Sequence, residues 1–325
     1  MTLDQLRLFI AVAEREHVTA ASQAMNVTQS AVSAAIAALE ARYGVKLFHR
    51  VGRGIALTDA GRLFLPEARA VVAQASAAEN ILKDISGLRR GTLKVVASQT
   101  IAAYWLPPIL VAFRKRYPDI KIELAISNSE EASRMVREGE AEVGIVEAVV
   151  ADPALAQWPV GEDHMILVQA SSLIPPRIDD AWLHQQNWVM REAGSGTRAA
   201  LELYLGRYDI DIEDLNISLV LPSNEGVQTA IEAGAGIGAL SSLVVGPALR
   251  AGTLHAVLQV PESRFFYGLR HKERYQSPAA TALLGMSEFI AVSRGVQTCR
   301  KPPVKAAFCT SECPSGQSDC FDAHC

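Results

Sequence analysis

One stretch constrains the fold more than any other: NVTQSAVSAAIAALEARYG, residues 26–44. Apolar side chains recur through it at helical spacing, which predicts a helix with one buried stripe. Thr28 is placed to cap the start of this helix, and Gly44 is placed to end it. The opposite side carries small uncharged side chains, which are an unusual way to keep a helix soluble and which indicate a contact surface. The buried stripe is expected to contain Val32, Ile36, Leu39 and Tyr43.

The segments before this helix complete a helix-turn-helix. Residues 3–15 have the period of an amphipathic helix, and Thr19 is predicted to cap a second, shorter helix that ends at Asn26. In this motif the first residues of the second helix approach base edges in the major groove, and its N-terminus meets a phosphate. An ordinary three-helix domain with an alanine-rich exposed side is the alternative. The residues expected to contact DNA from this helix are Thr28, Gln29, Ser30 and Ser33.

Residues 45–58, VKLFHRVGRGIALT, predict a small two-stranded wing. Apolar residues alternate on both sides of a glycine-flanked turn, as in a hairpin. Arg53 stands at the predicted tip and Arg50 at the base. We expect both arginines to meet phosphates or to enter a minor groove.

A long helix is predicted next, from about Thr58 to Gly87. Its apolar residues recur in alternating steps of four and three, a heptad pattern typical of helices that pair between chains. Packing of the same residues within their own domain is the alternative. Pro66 falls inside the helix and predicts a kink or a later start. The heptad positions are Phe64, Ala68, Val71, Ala75, Ala78, Leu82 and Ile85.

Residues 1–90 strongly resemble the N-terminal part of LysR-type transcriptional regulators. The order, spacing and identity of the residues from Val18 to Gly61 carry the resemblance. It implies a regulator that binds promoter DNA as a homodimer or homotetramer and responds to a small effector. Many members have Arg or Lys where this chain has Ala20, Ala34 and Ala37, so fewer phosphate contacts are expected from its helices.

From residue 91 the pattern changes to short β-rich runs that alternate with helical segments, as in an α/β domain with a parallel sheet. One unit runs from TLKVVAS to EVGIVEA, and a second begins near MILVQAS. Residues 264–293 predict one more strand and a final helix, which would return to the first lobe. Two crossings would make a hinged cleft. The family resemblance continues here, more diffusely, as a periplasmic-binding-protein-like effector fold.

The predicted fold class is therefore α/β overall, with four segments. A winged helix-turn-helix domain, all-α apart from its small wing, covers residues 1–58, and a linker and dimerisation helix covers 59–90. A two-lobed effector-binding domain covers 91–294, and a cysteine-rich tail covers 295–325. All five cysteines lie in that tail, beginning at Cys299. The tail is expected to be disordered; a zinc site and a redox switch are the alternatives.

Ligands of α/β domains bind outside the C-terminal ends of parallel strands, where helices begin. Four such junctions here are rich in hydroxyl and amide groups, which suit a small anion beside helix N-termini. The same residue types are ordinary helix caps, so a purely structural role is the alternative. A carboxylate at Glu147 disfavours an anion unless it meets a hydroxyl, a proton or an amine. The expected effector-binding residues are Ser98, Thr100, Asn128, Glu147, Ser195, Thr197 and Asn224.

Other function classes find little support. The sequence GSGTR lacks the lysine of a phosphate loop, GAGIG follows a helix rather than a strand, and neither HExxH nor GxSxG occurs. No catalytic residue, metal or cofactor is therefore expected. An exported solute-binding protein would need a signal peptide, and the acidic N-terminus does not resemble one. No run of about 18 apolar residues predicts a membrane span. A cytoplasmic location is expected, and the resemblance favours a sulfur oxyanion or a small carboxylate as the effector.

Overall fold

The computed structural model describes residues 1–52, 54–85, 91–174 and 178–293. Arg53 and the cysteine-rich tail lie outside these residues, so what was predicted for them stays a prediction. The helices are α1 (Leu3–Arg15), α2 (Val18–Ala24), α3 (Gln29–Tyr43), α4 (Asp59–Ile85), α5 (Leu106–Arg116), α6 (Ser129–Glu138), α7 (Asp180–Gln185), α8 (Gly196–Leu205), α9 (Asn224–Glu232), α10 (Ser242–Ala251) and α11 (Pro278–Ser293). The strands are β1 (Phe48–Val51), β2 (Gly54–Leu57), β3 (Gly91–Ser98), β4 (Ile120–Ser127), β5 (Val143–Val146), β6 (Leu155–Gln169), β7 (Asn187–Arg191), β8 (Asn216–Leu221), β9 (Ile237–Ser241) and β10 (His255–His271).

The first three helices enclose two small apolar clusters. Leu6 and Phe9 of α1 pack with Leu39 of α3, while Val32 and Ile36 of α3 pack in the second cluster with residues of α1 and α2. Three of the four positions predicted for the stripe of α3 are therefore confirmed. The helix is held by this one side, and its other side faces solvent.

Two local predictions in this part were wrong. Tyr43 is 56% exposed, because it lies in the last turn of α3 and its ring meets the Arg42 guanidinium. The second helix begins at Val18 rather than after Thr19, because the His17 ring nitrogen accepts the N–H of Ala20 and caps it. Of the two outcomes predicted for Pro66, the later start is excluded, because the long helix begins at Asp59 and includes the proline; the kink stays a prediction.

Helix α4 uses part of its predicted heptad face within its own domain. Phe64, Ala68 and Val72 pack against the cluster that α1 and α3 form. Two later heptad positions, Val71 and Leu82, are exposed. The within-domain alternative therefore accounts for the first two heptad positions, and later positions remain available to a second chain.

The rest of the described chain is built around an eight-stranded sheet with the order β4-β3-β5-β10-β6-β9-β7-β8. Strand β3 pairs in parallel with β4 and β5, and β7 pairs in parallel with β8 and β9. Lobe I consists of β3–β5 with α5, α6 and α11, and lobe II consists of β7–β9 with α7–α10. Each lobe has its own buried apolar clusters. The predicted α/β class with two lobes is confirmed.

Two long antiparallel strands, β6 and β10, cross from one lobe to the other. Strand β10 pairs with β5 in lobe I, and β6 pairs with β9 in lobe II. Both are longer than predicted, since the sequence pattern placed their starts near Met165 and Phe265. Their mutual register shifts between Gln259 and Ser263, where the chain passes between the lobes. The two predicted crossings are confirmed, and the extra length of each strand brings charged residues to the cleft.

None of the described helices is both long and apolar enough to cross a membrane. In the same residues, no cluster of three or more His, Cys, Asp or Glu side chains is arranged to hold a metal ion.

Candidate functional site

The first turn of α3 presents polar side chains to solvent. Thr28 caps the helix: its hydroxyl oxygen accepts the N–H of Ala31 at 3.2 Å and lies 3.0 Å from the Ser30 hydroxyl. Gln29 and Ser33 are exposed, as Ser30 is, whereas Val32 is fully buried. The helix is thus anchored from behind and leaves its capped end free to approach a surface such as a DNA groove.

The wing is tied to this helix by a buried carboxylate. Glu40 near the end of α3 accepts the backbone N–H groups of Leu47 at 2.8 Å and Phe48 at 3.2 Å, and the Lys46 ammonium at 2.6 Å. Burial alone would raise the pKa of Glu40, but these hydrogen bonds outweigh it and hold the pKa below its ordinary value. Arg50, predicted to face DNA, is exposed on β1 just beyond this attachment.

One group of predicted effector residues holds the lobes together. The Asn224 side chain at the start of α9 donates to the Thr100 hydroxyl at 3.0 Å and accepts from Arg191 at 2.6 Å. The backbone N–H of Asn224 donates to the Gln99 side chain at 2.7 Å. Thr100 and Asn224 are fully buried. In this structure their polar groups satisfy one another across the cleft.

A second group surrounds Arg264 of β10. Its Nη1 donates to the Glu147 carboxylate and to the Thr197 hydroxyl, both at 3.2 Å, and its Nη2 donates to Asp163. Thr197 also donates to Glu147 at 3.3 Å. Within the described residues, Oε1 of Glu147 and Nε of Arg264 are buried without a hydrogen-bond partner. One guanidinium is therefore shared by two buried carboxylates and offsets the charge of only one of them.

An open cavity of about 650 Å³ lies in front of these groups, between the N-termini of α6 and α8. Asn128 caps α6 by accepting the N–H of Glu131 at 2.9 Å, and Ser195 caps α8 by accepting the N–H of Thr197 at 3.2 Å. The Asn128 amide also reaches across the lobes to Glu192 at 3.4 Å. Two helix N-termini from opposite lobes thus open on one space. Its charged lining consists of Arg134, Arg137, Arg198, Glu130, Glu131, Asp152 and Glu202.

The seven predicted residues are therefore brought to one cleft but not to one surface. Asn128 and Ser195 line the open cavity. Ser98 is buried at the end of β3, with a hydroxyl that has no partner among the described atoms. Thr100, Glu147, Thr197 and Asn224 are buried where the lobes meet.

Sequence reasoning missed Arg264 and Asp163, which are register partners on the two crossing strands. No local signal marked either residue, since Asp163 lies in the polar stretch GEDH and Arg264 follows Glu262 and Ser263. Arg191 at the end of β7 is also buried, and it pairs with Glu192 at 2.8 Å. Burial would raise the pKa of Glu192, but the bond from Arg191 keeps it below its ordinary value.

Two family models match the chain. Residues 3–62 match "Bacterial regulatory helix-turn-helix protein, lysR family", and residues 86–288 match "LysR substrate binding domain". The regulator YeiE of Escherichia coli K12, described as an uncharacterized HTH-type transcriptional regulator, is 31% identical over 288 residues, which is 87% of this chain and 96% of YeiE. A probable RuBisCO transcriptional regulator of Nostoc sp. PCC 7120 is 29% identical, covering 86% of each chain. These relatives are regulators and not enzymes, as the sequence predicted.

Solved structures share the fold. The LysR family regulator CbnR superposes with a TM-score of 0.65 at 22% identity, covering 90% of this chain and 99% of CbnR. Full-length CbnR in complex with its target DNA gives a TM-score of 0.61 at 22% identity, covering 90% of this chain and all of that chain. The regulatory domain of Synechocystis CcmR in complex with 2-PG gives 0.55 at 23% identity, covering 62% of this chain and 98% of the CcmR domain.

Proposed function

Since this chain belongs to the LysR family of DNA-binding transcriptional regulators, we propose that its effector is a small, polar, anionic molecule bound between the two lobes. The coarser statement, a transcriptional regulator with an effector-binding domain, follows from the family. The chemical class of the effector is the part that the site geometry supports.

The facing N-termini of α6 and α8 carry this proposal. Each helix end exposes N–H groups and the positive end of a helix dipole, and both open on the same 650 Å³ cavity. Arg134, Arg137 and Arg198 line that cavity as well. An anion between the lobes would gain from both helix ends at once, which would favour a closed cleft over an open one.

The objection from Glu147 loses force in this geometry. Its carboxylate is buried behind the cavity and lies 3.2 Å from the Arg264 guanidinium. This pairing offsets part of its repulsion of an anion in front of it, since Asp163 shares the same guanidinium. The contacts of Thr100 and Asn224 to each other support a role for them in closing the lobes around the effector.

A thermal-shift panel tests the proposal. It should contain sulfate, sulfite, phosphate, 2-PG and small carboxylates, and at least one should raise the melting temperature in a concentration-dependent way. Arg198→Gln should weaken the binding of that compound about tenfold, which is about 1.4 kcal/mol. Lys115→Gln removes the same charge from the last turn of α5 and serves as the matched control. A shift from neutral or cationic compounds alone would contradict the proposal.

We further propose that Thr28, Gln29, Ser30, Ser33, Arg50 and Arg53 contact DNA. The exposed, capped end of α3 supports the first four, because that end carries free N–H groups toward a phosphate and short side chains toward base edges. The attachment of the wing through Glu40 supports Arg50, because it fixes β1 relative to α3.

We also propose that the chain assembles at least as a homodimer through α4. Val71 and Leu82 of this helix, both predicted heptad positions, are 44% and 69% exposed, and their spacing of eleven residues places them on one face. An apolar groove of about 370 Å³ lies beside α4 and is lined by Tyr43, Val45 and Phe64 among others. A second α4 would cover such surfaces, and two-fold symmetry would then place two reading helices on a near-palindromic site.

A further inference from the structure

Helix α6 connects two distant parts of the molecule. Its N-terminus, at Asn128 and Ser129, lines the cavity between the lobes. Its C-terminus, at Glu138 and Gly139, lies against the linker helix α4. A helix of ten residues is stiff, so a displacement at one end is carried to the other. The contacts at its C-terminal end therefore decide whether the cleft and the linker helix move together.

A cluster of ion pairs makes that attachment. Arg69 of α4 donates hydrogen bonds to Glu138 of lobe I at 2.8 Å and to Glu14 of α1 at 3.1 Å, and its Nε lies 2.9 Å from Glu140 without making a hydrogen bond. Glu138 is almost fully buried, and Arg69 is largely so. One guanidinium thus joins the helix-turn-helix, the linker helix and lobe I. Such partly buried, multiply bonded pairs are stronger than exposed ones.

Arg134 links the same cluster to the cavity. It lines the cavity, pairs with Glu131 at 2.6 Å, and also contacts Glu138 and Glu140, the second at 2.9 Å. Hydrogen bonds from Arg134 hold the pKa of Glu131 below its ordinary value. Two arginines therefore contact Glu138 and Glu140: Arg134 from the cavity side and Arg69 from the linker side.

Close backbone packing makes a second, independent contact. Gly139 ends α6 with a φ of +81°, and a Cβ placed there would lie 2.2 Å from the Cβ of Ala73 on α4. No larger residue fits without moving the linker helix away. The Arg274 guanidinium closes the same spot by donating to the carbonyl oxygen of Val136 at 2.9 Å. The approach of the two helices is thus fixed by shape as well as by charge.

We propose that this junction, formed by Arg69, Arg134, Glu138, Gly139 and Glu140, carries the state of the effector cleft to the DNA-binding part. The inference rests on the proposed function of the cleft. An anion that engages Arg134 draws it away from Glu138 and Glu140. Both carboxylates then turn more fully to Arg69, and the linker helix is held more tightly on lobe I.

The first test uses hydrogen–deuterium exchange of the full chain without any added effector. Arg69→Gln should speed exchange in the middle of α4 at least about fivefold, because the helix loses its main attachment to lobe I. Arg62→Gln is the matched control, since that arginine lies on the same helix and makes local contacts to Asp59 and to the carbonyl oxygen of Leu57, away from lobe I. If Arg69→Gln is poorly folded by circular dichroism, Glu140→Gln removes a single pair and replaces it.

A steric pair of variants supports the same test. Gly139→Ala should loosen α4 in the same way, because its methyl group collides with Ala73. Gly252→Ala carries a similar backbone cost at a φ of +74° but has open space around it, so it should leave α4 unchanged. Equal exchange of α4 in the wild type, Arg69→Gln and Gly139→Ala would overturn the proposed attachment.

The second test measures affinity for a duplex selected from random DNA by the purified protein. Arg69→Gln should change the dissociation constant at least about fivefold without effector, the lower end of ordinary coupling. Any change that sulfate or phosphate causes in the wild type should vanish in this variant, while the thermal shift by the same anion persists. A preserved response would overturn the coupling. Absence of any anion response in the wild type would instead count against the proposed effector class, and the tests without effector would still decide the role of the junction.

Discussion

Glu40→Ala should release the wing from the reading helix. The substitution removes the acceptor of two backbone N–H groups, at Leu47 and Phe48, and one exposed ion pair with Lys46. Hydrogen bonds to a charged acceptor are worth about 1.5–3 kcal/mol each. The Lys46 side chain is 78% exposed, so its pair adds little. Because water reaches the partly open Phe48 amide once the carboxylate is gone, we take about 3 kcal/mol as the net loss.

That loss has a measurable size. Since about 1.4 kcal/mol is a factor of ten, amide exchange in residues 47–57 should become faster by roughly two orders of magnitude. Affinity for DNA should fall as well, because Arg50 loses its fixed position. Glu40→Gln keeps a neutral acceptor and should show about half of the effect. Glu67→Ala, at an exposed position of α4, is the control.

The pH dependence of the same contact has a definite sign. The folded-state pKa of Glu40 is lowered, so the carboxylate stabilises the fold fully above its unfolded value of 4.5. The contribution is lost as the pH falls through the lower, folded-state pKa. Exchange in the wild-type wing should therefore approach that of Glu40→Ala only in acid. Exchange rates of Glu40→Ala within threefold of the wild type at neutral pH would refute the reasoning.

Three further predictions concern the reading face, the assembly and the cleft. Gln29→Ala should reduce discrimination between a selected and a scrambled duplex by about 1–3 kcal/mol, whereas Arg50→Ala should weaken both equally and lower the salt slope by about 0.9; unchanged discrimination in the first variant would contradict its role. Leu82→Asp should convert a dimer to monomers in sedimentation, and a monomeric wild type would exclude the α4 interface. Arg264→Met should lower the free energy of unfolding by about 3–5 kcal/mol in urea, because it leaves Glu147 and Asp163 buried without their cation; a loss below about 1 kcal/mol would contradict this role of Arg264.

The sequence predicted best where a local period and a cap coincide. The bounds of α3 came from the spacing of Val32, Ile36 and Leu39 together with Thr28 and Gly44, and the structure has that helix with those caps. Strands β3 and β5 were predicted because each is a short apolar run beside a helix, whereas β7 was not predicted. Tyr43 was misplaced because the apolar period continues into the last turn of α3, and a period does not show whether other helices still cover that turn.

The crossing strands were the harder part, since pairing across about a hundred residues leaves no local pattern. The first half of β6 mixes polar and apolar residues, and nothing nearby indicates that Asp163 faces Arg264 in register. The polar caps of α6 and α8 were visible in the sequence, but their convergence on one cavity depends on how the lobes close. The predicted residues therefore lie in one cleft, but the prediction lacked two of its charged residues, Arg264 and Asp163.

Those missed charges change how the cleft selects its ligand. Arg264 donates its Nη hydrogen bonds to two carboxylates and a hydroxyl, so the rear wall offers a ligand no free positive charge. Selectivity for charge then falls to the front of the cavity, to the helix ends at Asn128 and Ser195 and to the arginines beside them. One of these, Arg134, is already paired with three carboxylates, those of Glu131, Glu138 and Glu140. A ligand that takes Arg134 must therefore be anionic enough to compete with carboxylates. Arg134 then has two roles: it binds the anionic ligand, and its movement changes how firmly α4 is attached to lobe I.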